Sequence, residues 1–525
     1  MAALQDVEPE LERLRLVASA KIRHFFLNKI KSLRTLATNI QILQRSVFLR
    51  YRTLNYFLIE RHNEAASEVR DTYIYTARLY FAEHFELYCK ELQKLQSVKV
   101  DRFDLLGQDE SSRPSGFFGS ARTVHTKDRK HVFSLGERVE ILTQPDPRVI
   151  IPHVAEEGGH KYPFEMLFRS YNLALSDNTT SEYEFLLHFF TPQTSKQAVA
   201  AGADITKAIY DHIFESVCTT GLGLTKQFAE STYDALGILL CVRINQQLAN
   251  ELQRRRIPVL EGYINATNML LWPRFQAIMN MHLDSMKKVS ASPSVRLAKN
   301  EVHPHFVTRR YAEFVASLLT LNQSQETSVI TQSLQRLRDG LEAVLLRISE
   351  RFGDRVTTLI FLINNYDLII TILNENGHQT TCEEVDYFAH CRSTCISEYV
   401  EEQLDAHFGY LKKFVLEAEA AQNYYQEYGP ERFEPIITEF NATFRTSLAN
   451  INATVIRNFS NFKNGTTILH SVLGQLLLYY NRFHHLFDQR FTRKVTSSSE
   501  TTRPSKWPVG VQNVMVEIKK YKSNF

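Results

Sequence analysis

Apolar and polar positions return along this chain with the three- to four-residue period of an α-helix, and one stretch carries that pattern furthest. From Leu359 to Leu373 the residues read Leu-Ile-Phe-Leu-Ile-Asn-Asn-Tyr-Asp-Leu-Ile-Ile-Thr-Ile-Leu. Asn364, Asp367, Thr371 and Asn374 recur at spacings of three, four and three, so on a helix they form one narrow polar stripe while the other faces stay apolar. Such a helix belongs inside a packed helical array. A buried strand would account for the first five residues but not for the length or the stripe. Asn364, Asn365 and Asp367 are therefore expected to make interhelical hydrogen bonds that fix helix register.

The same period organises the rest of the chain. Residues 1–100 read as an N-terminal helical region in which Leu33, Leu36, Ile40, Leu43 and Val47 keep a strict three-four alternation, a short heptad-like seam. Residues 101–160 break the pattern with Ser111, Ser112, Pro114, Gly116, Gly119, Pro145, Pro147, Gly158 and Gly159, and are expected to be a long linker or insertion. Within it, 131–135 and 149–151 are candidates for a small hairpin. Residues 161–290 form a helical bundle with breaks near Pro192 and Pro258; Pro273 is expected in the first turn of a helix, where its missing amide is tolerated. A linker at 291–304 leads into a second bundle at 305–425. The pattern there predicts helices at Tyr311 to Leu321, Leu334 to Phe352, Leu359 to Leu373 and Glu398 to Glu419. Pro430 and Pro435 mark the next turn. A C-terminal bundle at 426–525 carries a Ser/Thr-rich spacer at 496–508 and a last short helix at Val511 to Tyr521. No internal repeat of fixed period is visible, which argues against a regular solenoid.

Composition supports an all-α fold. The 525 residues hold only 19 Gly and 15 Pro, the residues that interrupt helices most strongly. Apolar residues make up 44% and charged residues 23%, ordinary values for a folded chain with a large core. With 61 Lys and Arg against 58 Asp and Glu, the formal charge of +3 supplies no global field to hold nucleic acid. Locally the balance is different: between Arg13 and Ile59 there are ten Lys and Arg and no acid. Lys21, Arg23, Lys29, Lys31 and Arg34 are candidate contacts for an acidic partner helix or an anionic membrane, the plain alternative being a solvated face. No uninterrupted apolar run reaches the roughly 18–20 residues that span a bilayer, and Met1 to Glu12 lacks the layout of a secretory signal. Six cysteines without a framework of spacings fit a reducing, cytosolic setting. The Asn-x-Ser/Thr sequences at Asn452 and Asn464 read as chance matches there.

The search for chemistry returns little. Gly221-Leu-Gly223-Leu-Thr225-Lys226 lacks the gap and the preceding strand of a phosphate loop and reads as a turn between helices. Cys382, His390, Cys391 and Cys395 include no Cys-x-x-Cys pair, and the spacing of four puts Cys391 and Cys395 on one helix face. His484 and His485 read as polar interhelical contacts. The pairs Glu383–Glu384 and Glu401–Glu402 read as solvated helix surface. Neither a nucleophile elbow nor a His-Glu-x-x-His motif is present. The expectation is no enzyme, no metal and no cofactor.

Several blocks together resemble one family. They are Leu16-Val-Ala-Ser-Ala-Lys-Ile-Arg23, Tyr162-Pro-Phe-Glu-Met-Leu-Phe-Arg-Ser170, Leu270-Leu-Trp-Pro-Arg-Phe275, Pro304-His-Phe-Val-Thr-Arg-Arg-Tyr-Ala-Glu-Phe314, Phe361-Leu-Ile-Asn-Asn-Tyr-Asp367, Phe459-Ser-Asn-Phe-Lys-Asn-Gly-Thr466 and Val516-Glu-Ile-Lys-Lys-Tyr-Lys-Ser-Asn-Phe525. In that order they resemble the vacuolar protein sorting-associated protein 52 family, a subunit of the Golgi-associated retrograde protein (GARP) and endosome-associated recycling protein (EARP) tethering complexes. The resemblance implies an elongated rod of stacked helical bundles that helps to hold carriers at the trans-Golgi network or at endosomes. It implies as partners the other GARP and EARP subunits, syntaxin-class SNAREs and a Golgi Rab GTPase, with peripheral membrane association through those partners and no nucleic acid. Family members open on a long coiled coil that joins the subunits; here that segment is expected to be missing, with the chain starting close to the first rod helix. Two other classes are open to a helical chain of this kind. A nucleic-acid-binding helical scaffold would cluster bases and aromatics on one face, and Arg254 to Arg256 with Arg309-Arg310 are too few and scattered. An enzyme with an unrecognised site would show a concave pocket with convergent polar groups.

Overall fold

A computed structural model describes residues 2–35, 39–108, 132–144, 148–191, 196–291, 302–323, 327–377, 382–421, 427–491 and 504–522. The fold is all-α. The only sheet-like pairing among the described residues is a single parallel bridge between Gln96 and Tyr162. The chain divides into two compact units. One is drawn from Met1–Leu105, Asp109–His282 and Thr320–Thr327, the other from Leu106–Gln108, Leu283–Leu319 and Ser328–Phe525.

The first unit opens with α1 (Ala2–Lys31), a 3-10 turn (Ser32–Arg34), the short α2 (Ile40–Leu43) and a π-helical turn (Gln44–Phe48). The expected seam from Leu33 to Val47 is therefore not one helix. Leu33 and Ile40 are both buried, but Leu33 lies in the 3-10 turn and Asn39 caps α2 by accepting from the Gln41 and Ile42 amides. Leu36 lies outside the described residues. Next come α3 (Arg52–Arg61) and α4 (Asn63–Lys94), and Phe26, Phe48, Tyr73, Phe185 and Phe189 form a connected set of edge-to-face and stacked rings in this core.

The segment read as a linker is partly docked on this unit. No hairpin forms among its described residues: Gly136–Leu142 is 3-10 helix and Pro152–Glu157 is a short helix, α5. Arg138 ties the former down, donating to Glu165 (2.7 Å) and Asp234 (2.6 Å). His131 lies outside the described residues. Then follow α6 (Phe164–Phe189), α7 (Lys196–Ser231), α8 (Ala235–Arg255) and α9 (Glu261–Ala291), the last contributing residues as far as His282. Three breakers sit inside helices instead of at their ends, among them Pro435, which lies within the helix Pro430–Asn458 while Pro430 alone opens it. The Gly221 to Lys226 run lies inside α7 rather than in a turn, and Pro273 lies in the interior of α9 rather than in its first turn. For Gly221 the reason is close packing: a Cβ there would come 2.6 Å from the Tyr171 ring and 2.7 Å from the Tyr263 hydroxyl.

The second unit is built on α10 (Phe306–Asn322), α11 (Ser328–Ser349), α12 (Arg355–Glu375), α13 (Glu383–Ala420), α14 (Pro430–Asn458), α15 (Phe462–Phe491) and α16 (Val511–Lys522), of which α10 contributes residues as far as Leu319. Helix α12 starts sharply because Gly353 takes φ +69° and Asp354 accepts from the Val356 and Thr357 amides; Gly377, at φ +84°, ends it. By length and mean hydropathy α12 would span a membrane, yet most of it is buried in this unit. Leu359, Ile360 and Ile363 join a core with Tyr399, Leu404, Phe440, Leu448, Leu476 and Phe483 from α13, α14 and α15. The spacer 496–508 lies outside the described residues up to 503; beyond it, the Trp507 carbonyl accepts from Asn441 and the Trp507 ring packs 5.3 Å from Phe487.

Candidate functional site

The polar stripe of α12 meets the ends of other helices. Asn365, fully buried, accepts through Oδ1 from the His305 backbone N–H (2.9 Å) and the Thr308 hydroxyl (2.6 Å), at the entry of α10. Its Nδ2 donates to the Phe361 carbonyl one turn back (2.8 Å). Asn364 Nδ2 donates to the Val302 carbonyl and to the carbonyl of Asn458, the last residue of α14, both at 2.9 Å. Asp367 accepts from Arg392 of α13 (2.6 Å) and from Asn461 Nδ2 (2.6 Å), and Asn461 itself caps α15 by accepting from the Lys463 amide. The reason for this convergence is that helix ends carry backbone groups without intrahelical partners, and burying them requires donors and acceptors from elsewhere. The stripe supplies them.

A second buried polar centre lies on elements of the same unit and corrects a reading made from sequence. Glu384 is not solvated surface: it is buried, accepts from the Tyr311 hydroxyl (3.2 Å) and pairs with Arg338 (3.2 Å), whose guanidinium lies 4.5 Å from the centre of the Tyr387 ring. Burial pushes the Glu384 carboxyl up to about 7, against the opposing pull of Arg338. Its neighbour Glu383 is exposed. The local signal was present, since Glu384, Phe388, Cys391 and Cys395 follow a four-three-four spacing on α13. Glu182 of the first unit is the equivalent omission. It sits in the buried stripe Leu175, Thr179, Glu182, Leu186, Phe189 of α6, and accepts from Tyr73 (2.7 Å) and Gln44 (2.6 Å). Burial pushes it up to about 7 as well.

Among the described residues no His, Cys, Asp and Glu side chains converge in a set able to hold a metal ion. Cys395 packs against the core of the second unit, and burial raises its thiol to about 11. The histidines expected between helices bond within α15 instead, His484 to Asp488 (3.1 Å) and His485 to Gln489 (2.9 Å).

The surface features lie on α1. Its second half packs through Phe26 and Ile30. Its first half presents Val7, Leu11 and Leu14 to solvent, at 52%, 59% and 55% exposure, and with Ala18 these continue a four-three-four spacing. Charged pairs flank this seam, Arg13 with Glu10 and Arg15 with Glu12. Of the basic candidates, Arg23 is committed to Glu68 and Arg34 lies over the Tyr75 ring at 5.9 Å. Lys21, Lys29 and Lys31 are exposed.

Known proteins resolve what this arrangement belongs to. The family model described as Vps52, C-terminal matches residues 76–399, and that described as Vps52/Sac2 family, coiled-coil matches residues 1–58. The chain is 36% identical over 529 residues to vacuolar protein sorting-associated protein 52 A of Arabidopsis thaliana, covering 100% of this chain and 70% of the relative. Against the Homo sapiens homolog the identity is 35% over 535 residues, with the same coverage. Against the Saccharomyces cerevisiae protein it is 28% over 397 residues, covering 68% of this chain and 61% of the relative. The coiled-coil match overturns the expectation that this segment is missing. Glu8, Pro9, Glu10 and Glu12 stand between the apolar seam positions of this segment. A match across both segments, together with similarity over the whole of this chain to the plant and human proteins, establishes that the chain belongs to the Vps52 family.

Proposed function

We propose that this chain is a non-enzymatic subunit of a vesicle-tethering complex of the GARP and EARP type, serving retrograde transport from endosomes to the trans-Golgi network and endosomal recycling. Family membership gives it a part in vacuolar protein sorting. The finer reading rests on one observation, the exposed seam of Val7, Leu11 and Leu14 on a helix whose other half is packed. A heptad-spaced apolar stripe left in water favours burial against another helix. In the scaffold reading, that helix comes from another subunit, and syntaxin-class SNAREs and a Golgi Rab GTPase dock on the assembled complex at trans-Golgi and endosome membranes. Support also comes from the use of the buried polar groups, which are spent on joining helices.

The test is affinity capture of the full chain from cell extract with the bound subunits identified by mass spectrometry, beside a Leu11→Ser, Leu14→Ser variant. The tethering reading expects co-captured complex subunits with the native chain and at least about a tenfold loss with the variant, because two apolar knobs leave the seam. Capture of no complex subunit by the native chain would overturn it.

A further inference from the structure

The stretch of ten cations without an acid does not present a uniform face. Arg13, Arg15 and Arg23 are paired with Glu10, Glu12 and Glu68. Lys21, Lys29 and Arg50 make no ion pair, and they lie around two aromatic rings. Lys21, His24, Phe25 and Lys29 follow one stripe of α1, facing away from the buried Phe26 and Ile30, and line a shallow concavity of about 580 Å³ with Ala20 and Asn28. The Phe25 ring meets Tyr51 edge-on at 5.5 Å, and the Arg50 guanidinium lies 5.8 Å from the centre of the same Tyr51 ring. Tyr51 is itself exposed. One stripe of α1 and the turn before α3 therefore make a single surface.

We propose that this surface docks directly on a membrane rich in anionic headgroups. Charge complementarity carries the argument: three unpaired cations with no acid in this stretch of chain attract phosphate and carboxylate headgroups. The aromatic groups favour a membrane over an acidic helix. A docking helix needs a trough of apolar anchors at helical spacing, whereas here the apolar component is two rings set among long basic side chains, the composition that sits at headgroup level. Lys21 and Lys29 have flexible stems that reach a headgroup plane without rigid register. The heptad seam on the first half of α1 is separate, so the two surfaces can be occupied together, and the proposal does not depend on the tethering reading.

The test uses the full chain and sedimentation with vesicles of phosphatidylcholine alone or of an equal mixture with phosphatidylserine. Binding is expected to the mixture only, falling as salt rises. A Lys21→Glu, Lys29→Glu, Arg50→Glu variant is expected to bind at least about tenfold more weakly, since each cation near an anionic surface contributes about fivefold. A Lys21→Gln, Lys29→Gln, Arg50→Gln variant keeps the stems and guards against misfolding; it is expected to lose binding to a lesser degree, with an unchanged melting temperature. Equal sedimentation of native and variant chains, or none by the native chain, overturns the proposal. So does a variant that keeps vesicle binding while losing a co-purifying acidic protein.

Discussion

Helix α12 and the first half of α1 are opposite solutions to the same mixture of apolar and polar residues. In α12 the apolar faces are covered and the polar stripe is inside, joined to the ends of α10, α14 and α15. In α1 the charged residues pair along the helix and the apolar seam faces water. The difference teaches where each helix acts. Damage to the α12 stripe should be felt in stability and little in assembly, and damage to the α1 seam should be felt in assembly and little in stability.

The comparison breaks first at Asn365. Asn365→Leu removes the acceptor used by the His305 N–H and the Thr308 hydroxyl in a buried site. At about 1–3 kcal/mol for each buried group left unsatisfied, a loss of about 3–4 kcal/mol is expected in chemical denaturation. An unaltered midpoint would remove the case for a structural stripe.

The next largest effect lies in the first unit and depends on pH. Glu182 is raised to about 7 in the folded chain and reverts to an ordinary carboxyl when unfolded. The folded state therefore holds a proton that the unfolded state releases between roughly pH 4.5 and 7, so its contribution is full below that window and falls by about 3 kcal/mol as pH rises through it. Glu182→Gln should flatten this part of the stability profile, measured by denaturation across the window. A slope equal to that of the native chain would show the carboxyl is ionised throughout.

A smaller effect is expected from Asp367→Asn, which keeps shape but weakens the bonds from Arg392 and Asn461. About 1–2 kcal/mol should be lost, because the bonds fall from charge-assisted to neutral strength. The smallest belongs to α1: Leu11→Ser with Leu14→Ser should change folding stability by less than about 0.5 kcal/mol, as surface substitutions do. A large drop in melting temperature there would mean the seam is already buried within the isolated chain, and the contrast between the helices would collapse.

The sequence made α12 legible because its stripe and its apolar faces are local facts of spacing. Which groups meet the stripe was not legible: Val302, His305, Thr308, Arg392, Asn458 and Asn461 come from other helices and from the segments that lead into them. Glu384 failed for the converse reason. Beside Glu383 it looks like surface, and only Tyr311 and Arg338, on other helices, bury it. The 3-10 turn at Ser32–Arg34 contains no Gly or Pro to announce it, and α2 opens on a side-chain cap from Asn39. Gly221 and Pro273 are breakers by propensity, yet both lie inside helices, Gly221 where Tyr171 and Tyr263 leave no room for a side chain. The α1 seam was obscured by its own charges, although its spacing is as regular as that of α12.

One property of α12 bears on how the protein is made. Its most apolar 18-residue stretch has a mean hydropathy of 1.7, the signature by which a membrane-spanning segment is recognised. Much of what covers it, on α13, α14 and α15, lies later in the chain and emerges from the ribosome after it. During synthesis this helix must remain for a time without its shelter, open to chaperones and to insertion machinery. A message cut short between α12 and α13 would leave that state permanent, and cellular quality control would then set how much of the fragment survives.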